Sequence, residues 1–176
     1  MYEHILIPTD GSDLAEKAVV QGFELARKLG ARVTLISVIQ PLRPPGGESV
    51  QLRGTLEEYE REQRRQTESW LAQAGQRASA SGLTCDVVAV NAMSPAEAII
   101  DTARERGCDL VAIASHGRSG LSAVFLGSVT QKVLAGTDLP VLVYRAKTAH
   151  GPRRRPVATH SPLAAHSSSA FCAWRA

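Results

Sequence analysis

Apolar residues in this chain fall into short unbroken runs, separated by stretches in which they recur every three or four positions. The first run is HILIPT (His4–Thr9). Leu14, Ala18, Leu25 and Leu29 then share one helical face, with Gly30 set to end the helix. RVTLISVI (Arg32–Ile39) is rich in β-branched residues and predicts a second strand. QPLRPPGGES (Gln40–Ser49), with three prolines and two glycines, predicts a loop longer than most connections and with the reach of a lid. From about Leu52 to Ala80 the spacing predicts a long helix whose start is dense in charge. Glu57 and Arg61, and Glu60 and Arg64, stand at i,i+4 there and mark a solvated face.

CDVVAV (Cys85–Val90) predicts a third strand. SPAE (Ser94–Glu97) is a capping box with proline at the first helical position, and its helix should end near Gly107. DLVAIAS (Asp109–Ser115) predicts a fourth strand, a helix should run from near Ser128 to Gly136, and LPVLVY (Leu139–Tyr144) predicts a fifth strand. Strands that are apolar throughout, alternating with helices, indicate an α/β fold with an open five-stranded parallel sheet covered by helices on both faces.

Charge divides the chain. Five of its 20 basic residues and none of its 17 acids lie in 147–176, leaving residues 1–146 with 15 bases against 17 acids. The basic balance therefore belongs to a Pro/Ser/Ala-rich tail, expected to be disordered. The body, residues 1–146, lacks the basic excess that specific nucleic-acid binding requires. No apolar run is long enough to span a bilayer, and MYEHILIPTD lacks the basic start and long apolar stretch of a signal peptide, so the expected location is cytoplasmic, with no membrane partner. Three cysteines, Cys85, Cys108 and Cys172, show neither a CxxC pair nor metal-ligand spacing. Cys85 and Cys108 lie in or beside apolar runs and are expected to be inert buried thiols; no metal site is expected.

The candidate chemistry sits at two strand exits, PTDGSD (Pro8–Asp13) after the first strand and SHGRSG (Ser115–Gly120) after the fourth. In an open parallel sheet, ligands bind beyond the C-terminal strand ends where the winding reverses, and these exits flank that point if strands one and four are neighbours. Gly117 and Gly120 would let backbone amides approach an anion. Ser128 and Gln131 form a second capping box, setting a helix N-terminus directly after Gly127. The amides of Ser128, Val129 and Thr130, with two hydroxyls and the positive end of the helix dipole, make a phosphate cradle. Asp10 would face it, accepting from a ribose diol or a base amino group or helping to hold a divalent ion such as Mg or Mn; alternatively it caps the first helix. Arg118 either reaches a phosphate or stands in solvent. No Ser–His–Asp or Cys–His arrangement is legible around His116, and no catalytic residue is assigned.

These blocks carry a resemblance. Over about residues 1–146 the chain resembles the universal stress protein family, whose ATP-binding members carry G-x2-G-x9-G-[ST] after strand four. Here Ala114, Ser115, His116 and Gly117 are followed nine residues later by Gly127 and Ser128. ILIPTDGSDLAEKAV (Ile5–Val19) and GSVTQKVLAGTDLPVLVY (Gly127–Tyr144) look like the family's two ends. The resemblance implies a Rossmann-like sheet in order 3-2-1-4-5, a homodimer through strand five, and ATP or a related adenine nucleotide (AMP or ADP) as ligand. Pro8, Thr9 and Asp10 would then line the nucleoside side, and Val38 would offer backbone contacts to adenine. Gly117, Gly127, Ser128, Val129 and Thr130 would hold phosphates. Ala114 departs from the motif's first glycine and adds a methyl at the strand exit.

Two rivals stand beside a nucleotide-dependent stress or signalling protein. One is an enzyme that hydrolyses ATP slowly on the same fold, although GxxxxGK[ST], SGGxDS and HxGH are all absent. The other is a nucleotide-free dimeric interaction protein.

Overall fold

A computed structural model describes residues 1–42, 50–116 and 126–145. The expected tail, most of the Pro/Gly-rich loop, and Gly117, Arg118 and Gly120 lie outside the described residues. The elements are β1 (His4–Pro8), α1 (Asp13–Leu29), β2 (Arg32–Ile39), α2 (Val50–Ala80), β3 (Cys85–Asn91), α3 (Pro95–Glu105), β4 (Leu110–Ala114), α4 (Ser128–Gly136) and β5 (Val141–Tyr144). They form one parallel sheet in the order β3-β2-β1-β4-β5.

Alternation along the central strands sends side chains to two separate cores. Ile5, Ile7, Val33, Leu35, Leu110 and Ala112 meet Val19 and Ala26 of α1 and Leu71, Ala74 and Ala78 of α2. On the opposite face Leu6, Ile36, Val111 and Ile113 meet Ala96, Ile99 and Ala103 of α3 and Val133 of α4. Both faces of β1 and β4 are covered, so every position of the two strands is buried and all but His4 are apolar. β3 departs from the expectation of buried strands. It is an edge strand, and Asp86 and Val87 face solvent.

Local chemistry sets the helix ends. Ser12 caps α1, accepting from the Ala15 amide at 3.3 Å, and Gly30 closes it at φ 68°, where a side chain would be strained. Ser94 caps α3 as its motif predicts, accepting from the Glu97 amide, with Pro95 at the first helical position.

The sheet opens at its C-terminal edge. Asp109 ties the start of β1 to β4, its carboxylate accepting from the Glu3 amide at 2.7 Å and the His4 amide at 3.1 Å. The β1–β4 ladder then registers only Ile5 with Leu110 and Leu6 with Val111. The β1–β2 ladder, by contrast, continues to Pro8 and Ile36. β1 and β4 thus part toward their C-terminal ends, at the point where the winding reverses. Among the described residues no helix is long and apolar enough to cross a membrane.

Candidate functional site

That parting opens into a cleft of about 410 Å³. Its middle is the β1 exit. Pro8 and Thr9 are buried there, and Asp10 stands at the rim. The turn is built from the residues themselves: the Gly11 amide donates to Thr9 Oγ1 at 3.3 Å and the Ser12 amide to Asp10 Oδ1 at 3.1 Å, with Gly11 at φ 74°. Because Ser12 caps α1, the capping role considered for Asp10 belongs to its neighbour, and the Asp10 carboxylate lines the cleft instead.

On one side of Asp10 lies the start of α4. Its N-cap is Gly127, at φ −62° and ψ 153°, with no side-chain hydrogen bond to the cap. This corrects the expected capping box: Ser128 is the first helical residue, not the cap. Gln131 does not reach back to its amide but donates through Nε2 to the Leu126 carbonyl at 2.7 Å. The first amides of a helix have no partner inside it. Those of Ser128, Val129 and Thr130 meet no acceptor among the described residues, and all three residues line the cleft.

Two groups assigned to phosphate are already engaged. The Gly127 amide donates to the Ser115 carbonyl at 2.7 Å, and the Thr130 hydroxyl donates to the Ala114 carbonyl at 2.9 Å in a fully buried contact. Gly127 is glycine here for packing. A Cβ on it would lie 3.1 Å from His116 Cα. Ser115 is 2% exposed and does not line the cleft; its amide donates to the Tyr144 carbonyl at 2.7 Å, and its hydroxyl meets His116 Nδ1 at 3.0 Å. His116 does line the cleft, but no carboxylate among the described residues completes a Ser–His pair into a triad. Ala114 packs in a small cluster with Ala15 and Ala18 of α1 and also lines the cleft.

On the other side of Asp10 the wall is formed by Ile36, Ser37, Val38, Ile39 and Gln40 from the end of β2, and by Pro95 and Ile99 of α3. Gln63 and Thr67 of α2 complete it. Of these, Val38 is expected from the family resemblance, and the rest are not singled out by the sequence. Ile36 and Ile99 belong to the buried core behind the wall. Gln63 and Thr67 lie inside a charge-rich helix and carry no local signal that they meet the sheet edge. Asp10 is the one carboxylate among the described lining residues, and among the described residues no three His, Cys, Asp or Glu side chains converge as metal ligands.

Cys108 is buried, whereas Cys85, expected to be buried as well, is half-buried on the edge strand; Cys172 lies outside the described residues. Burial, reinforced at Cys85 by the Asp86 charge, pushes both the Cys85 and Cys108 thiols up to about 11, which keeps them protonated and unreactive.

Known proteins agree with this architecture. Universal stress protein YxiE of Bacillus subtilis is 29% identical over 156 residues, covering 82% of this chain and 100% of its own. UspA of Lactobacillus plantarum superposes with a TM-score of 0.72 at 23% identity, over 82% of this chain and 98% of that one. Two further proteins share the fold. A universal stress protein solved in complex with cAMP has a TM-score of 0.60 at 23% identity, over 82% and 97% of the two chains. One from Archaeoglobus fulgidus in complex with dAMP has a TM-score of 0.52 at 21% identity, over 81% and 97%. The family model described as "Universal stress protein family" matches residues 1–145. With the sheet order, the split between β1 and β4 and this match together, the chain belongs to the universal stress protein family.

Proposed function

We propose that this protein binds an adenine nucleotide, ATP among them, in the cleft between the β1 and β4 exits. Its output in stress response or signalling would then come from nucleotide-dependent conformation and dimerisation. The observation that carries the reading is the pairing across one cleft of α4 amides that meet no acceptor among the described residues with the apolar β2–α3 wall. The amides of Ser128, Val129 and Thr130 and the Ser128 hydroxyl suit phosphate oxygens; the wall of Val38, Ile39 and Pro95, backed by buried Ile36 and Ile99, suits a purine. The cAMP and dAMP complexes of two proteins sharing the fold support the choice of adenine. Each charge-assisted hydrogen bond contributes about 1.5–3 kcal/mol, so three or four hold a polyphosphate without a lysine. A Mg or Mn ion would come with the phosphates, Asp10 being the lining carboxylate able to meet it. Asp10 would otherwise accept from the ribose.

β5 is the sheet's edge and exposes Leu142, a strand that self-pairing across a two-fold axis would protect. Light scattering should accordingly give about twice 18.8 kDa.

Ser128→Pro tests the cradle. Proline is favoured at the first helical position and Gly127 already has the extended conformation that precedes proline, so the variant keeps α4 while deleting one amide and one hydroxyl. The wild type should gain about 2.7 kcal/mol of stability with Mg-ATP at about 100 times Kd. Ser128→Pro should bind about 10- to 100-fold more weakly. Unchanged affinity in a folded variant refutes the cradle, and no wild-type response at millimolar nucleotide supports the nucleotide-free reading. Sustained ADP release that stops in Asp10→Ala would identify an enzyme instead.

A further inference from the structure

α2 is much longer than the sheet needs. Its 31 residues span about 46 Å, whereas the eight residues of β2 span about 26 Å. The helix ends where β3 begins, at the N-terminal edge of the sheet, so its first half overhangs the C-terminal edge, above the cleft. Its body-facing stripe changes character along the way. Leu71, Ala74 and Ala78 are buried in the core and Trp70 packs beside them. One and two turns earlier the same stripe presents Thr67 and Gln63, both half-buried and both lining the cleft. The flanking positions Glu62, Arg64 and Arg65 are spent on ion pairs, Arg65–Glu62 at 2.7 Å and Arg64–Glu68 at 3.5 Å.

Most polar side chains around the β1 and β4 exits have partners within the fold. Thr9 accepts from Gly11, Ser115 meets His116, Thr130 donates to Ala114, and Gln40 donates to the Met93 carbonyl at 3.2 Å. The Gln63 amide and the Thr67 hydroxyl make no hydrogen bond to any described residue. They line the cleft together with Ser37, Val38 and Ile39 of β2, the strand that lies across β1 from the β4 exit and α4. The cleft therefore has an end whose donors are backbone amides and suit an anion. Its other end is apolar and carries a neutral amide, which offers a donor and an acceptor side by side.

We infer that Gln63 on the overhanging half of α2 is the base-reading residue of this site, its amide pairing with the 6-amino group and adjacent ring nitrogen of a purine. The inference rests on the nucleotide reading above and adds what that reading lacks, a side chain able to recognise one base. An amide matches the amino and ring-nitrogen edge of adenine in bidentate fashion. A site built around such a pair rejects the analogue lacking the group, because the amide is then left unpaired.

The test uses the full-length chain and two nucleotides, ATP and purine riboside 5′-triphosphate, which differ only in the 6-amino group. The wild type should bind ATP about tenfold more tightly by calorimetry. Gln63→Leu, which keeps the packing and the helix but removes the amide, should bind both with equal affinity and an unchanged far-UV spectrum. Gln63→Asn, with its amide withdrawn by one methylene, should show the same convergence. If ATP binds but keeps its advantage in both variants, or the wild type has no such preference, Gln63 does not read the base and the nucleotide site stands. If the wild type binds neither compound, both readings fall.

Discussion

Replacing Gly127 by alanine sets two effects of opposite sign against each other. Gly127 has φ −62° and ψ 153°, a conformation alanine adopts without strain, so the smaller entropy of the unfolded alanine chain would by itself stabilise by about 0.4–1 kcal/mol. Against this, the new methyl would lie 3.1 Å from His116 Cα, 3.3 Å from His116 Cβ and 3.4 Å from the Ser115 carbonyl oxygen. Two of these neighbours are main chain and cannot rotate away. Nor can the segment shift: the Ser115 amide is bound to the Tyr144 carbonyl at 2.7 Å, and the Ser115 carbonyl accepts from Gly127 itself at 2.7 Å. Overpacking against an anchored backbone costs about 1–3 kcal/mol, so destabilisation wins by about 1–2 kcal/mol. For a domain of this size that lowers Tm by roughly 2–8 °C. The assay is calorimetric or fluorescence-monitored melting of both proteins without nucleotide. A Tm equal to or above the wild type's would refute the reasoning, because the entropic gain would then have met no steric opposition. Gly127 would in that case be glycine for the ligand's sake and not for the junction between the two segments.

Two further outcomes follow from buried polar groups. Thr130→Val should cost about 1–3 kcal/mol in urea unfolding, because it strands the Ala114 carbonyl in a buried site, while Thr130→Ser should retain most of the stability. His4 is 3% exposed, with Nε2 2.8 Å from Thr34 Oγ1; burial, helped by the Arg32 charge and opposed by Asp109 and Asp86, lowers its pKa below 6.5. The unfolded chain therefore binds the proton more readily than the native one. His4's contribution is complete above about pH 6.5 and is lost as pH falls through the lower, native value. The urea midpoint should decline more steeply below pH 6.5 in the wild type than in His4→Asn, and parallel declines would contradict this account.

Much of the architecture is written in neighbouring residues. The apolar runs, the helical spacing, Gly30 as a left-handed stop and Ser94–Pro95 as a start are properties of a few consecutive positions, so the nine elements among the described residues are legible without coordinates. Pro8, Thr9, Asp10, Val38, His116 and the start of α4 do meet around one cleft. What one-dimensional reading cannot supply is which groups have already found partners. Whether Ser12 or Asp10 caps α1 turns on a competition between side chains two residues apart. The Gly127 amide and the Thr130 hydroxyl are taken by carbonyls twelve and sixteen residues away, at the end of β4. Gln63 and Thr67 look like any polar positions on a charged helix until α2 is laid against the sheet and its length carries them past the edge. Periodicity along the chain determines the elements because it reflects contacts within a turn or a pleat. The make-up of the cleft was decided by packing alone, because hydrogen-bond partners and walls are contributed by residues that only the folded sheet brings together.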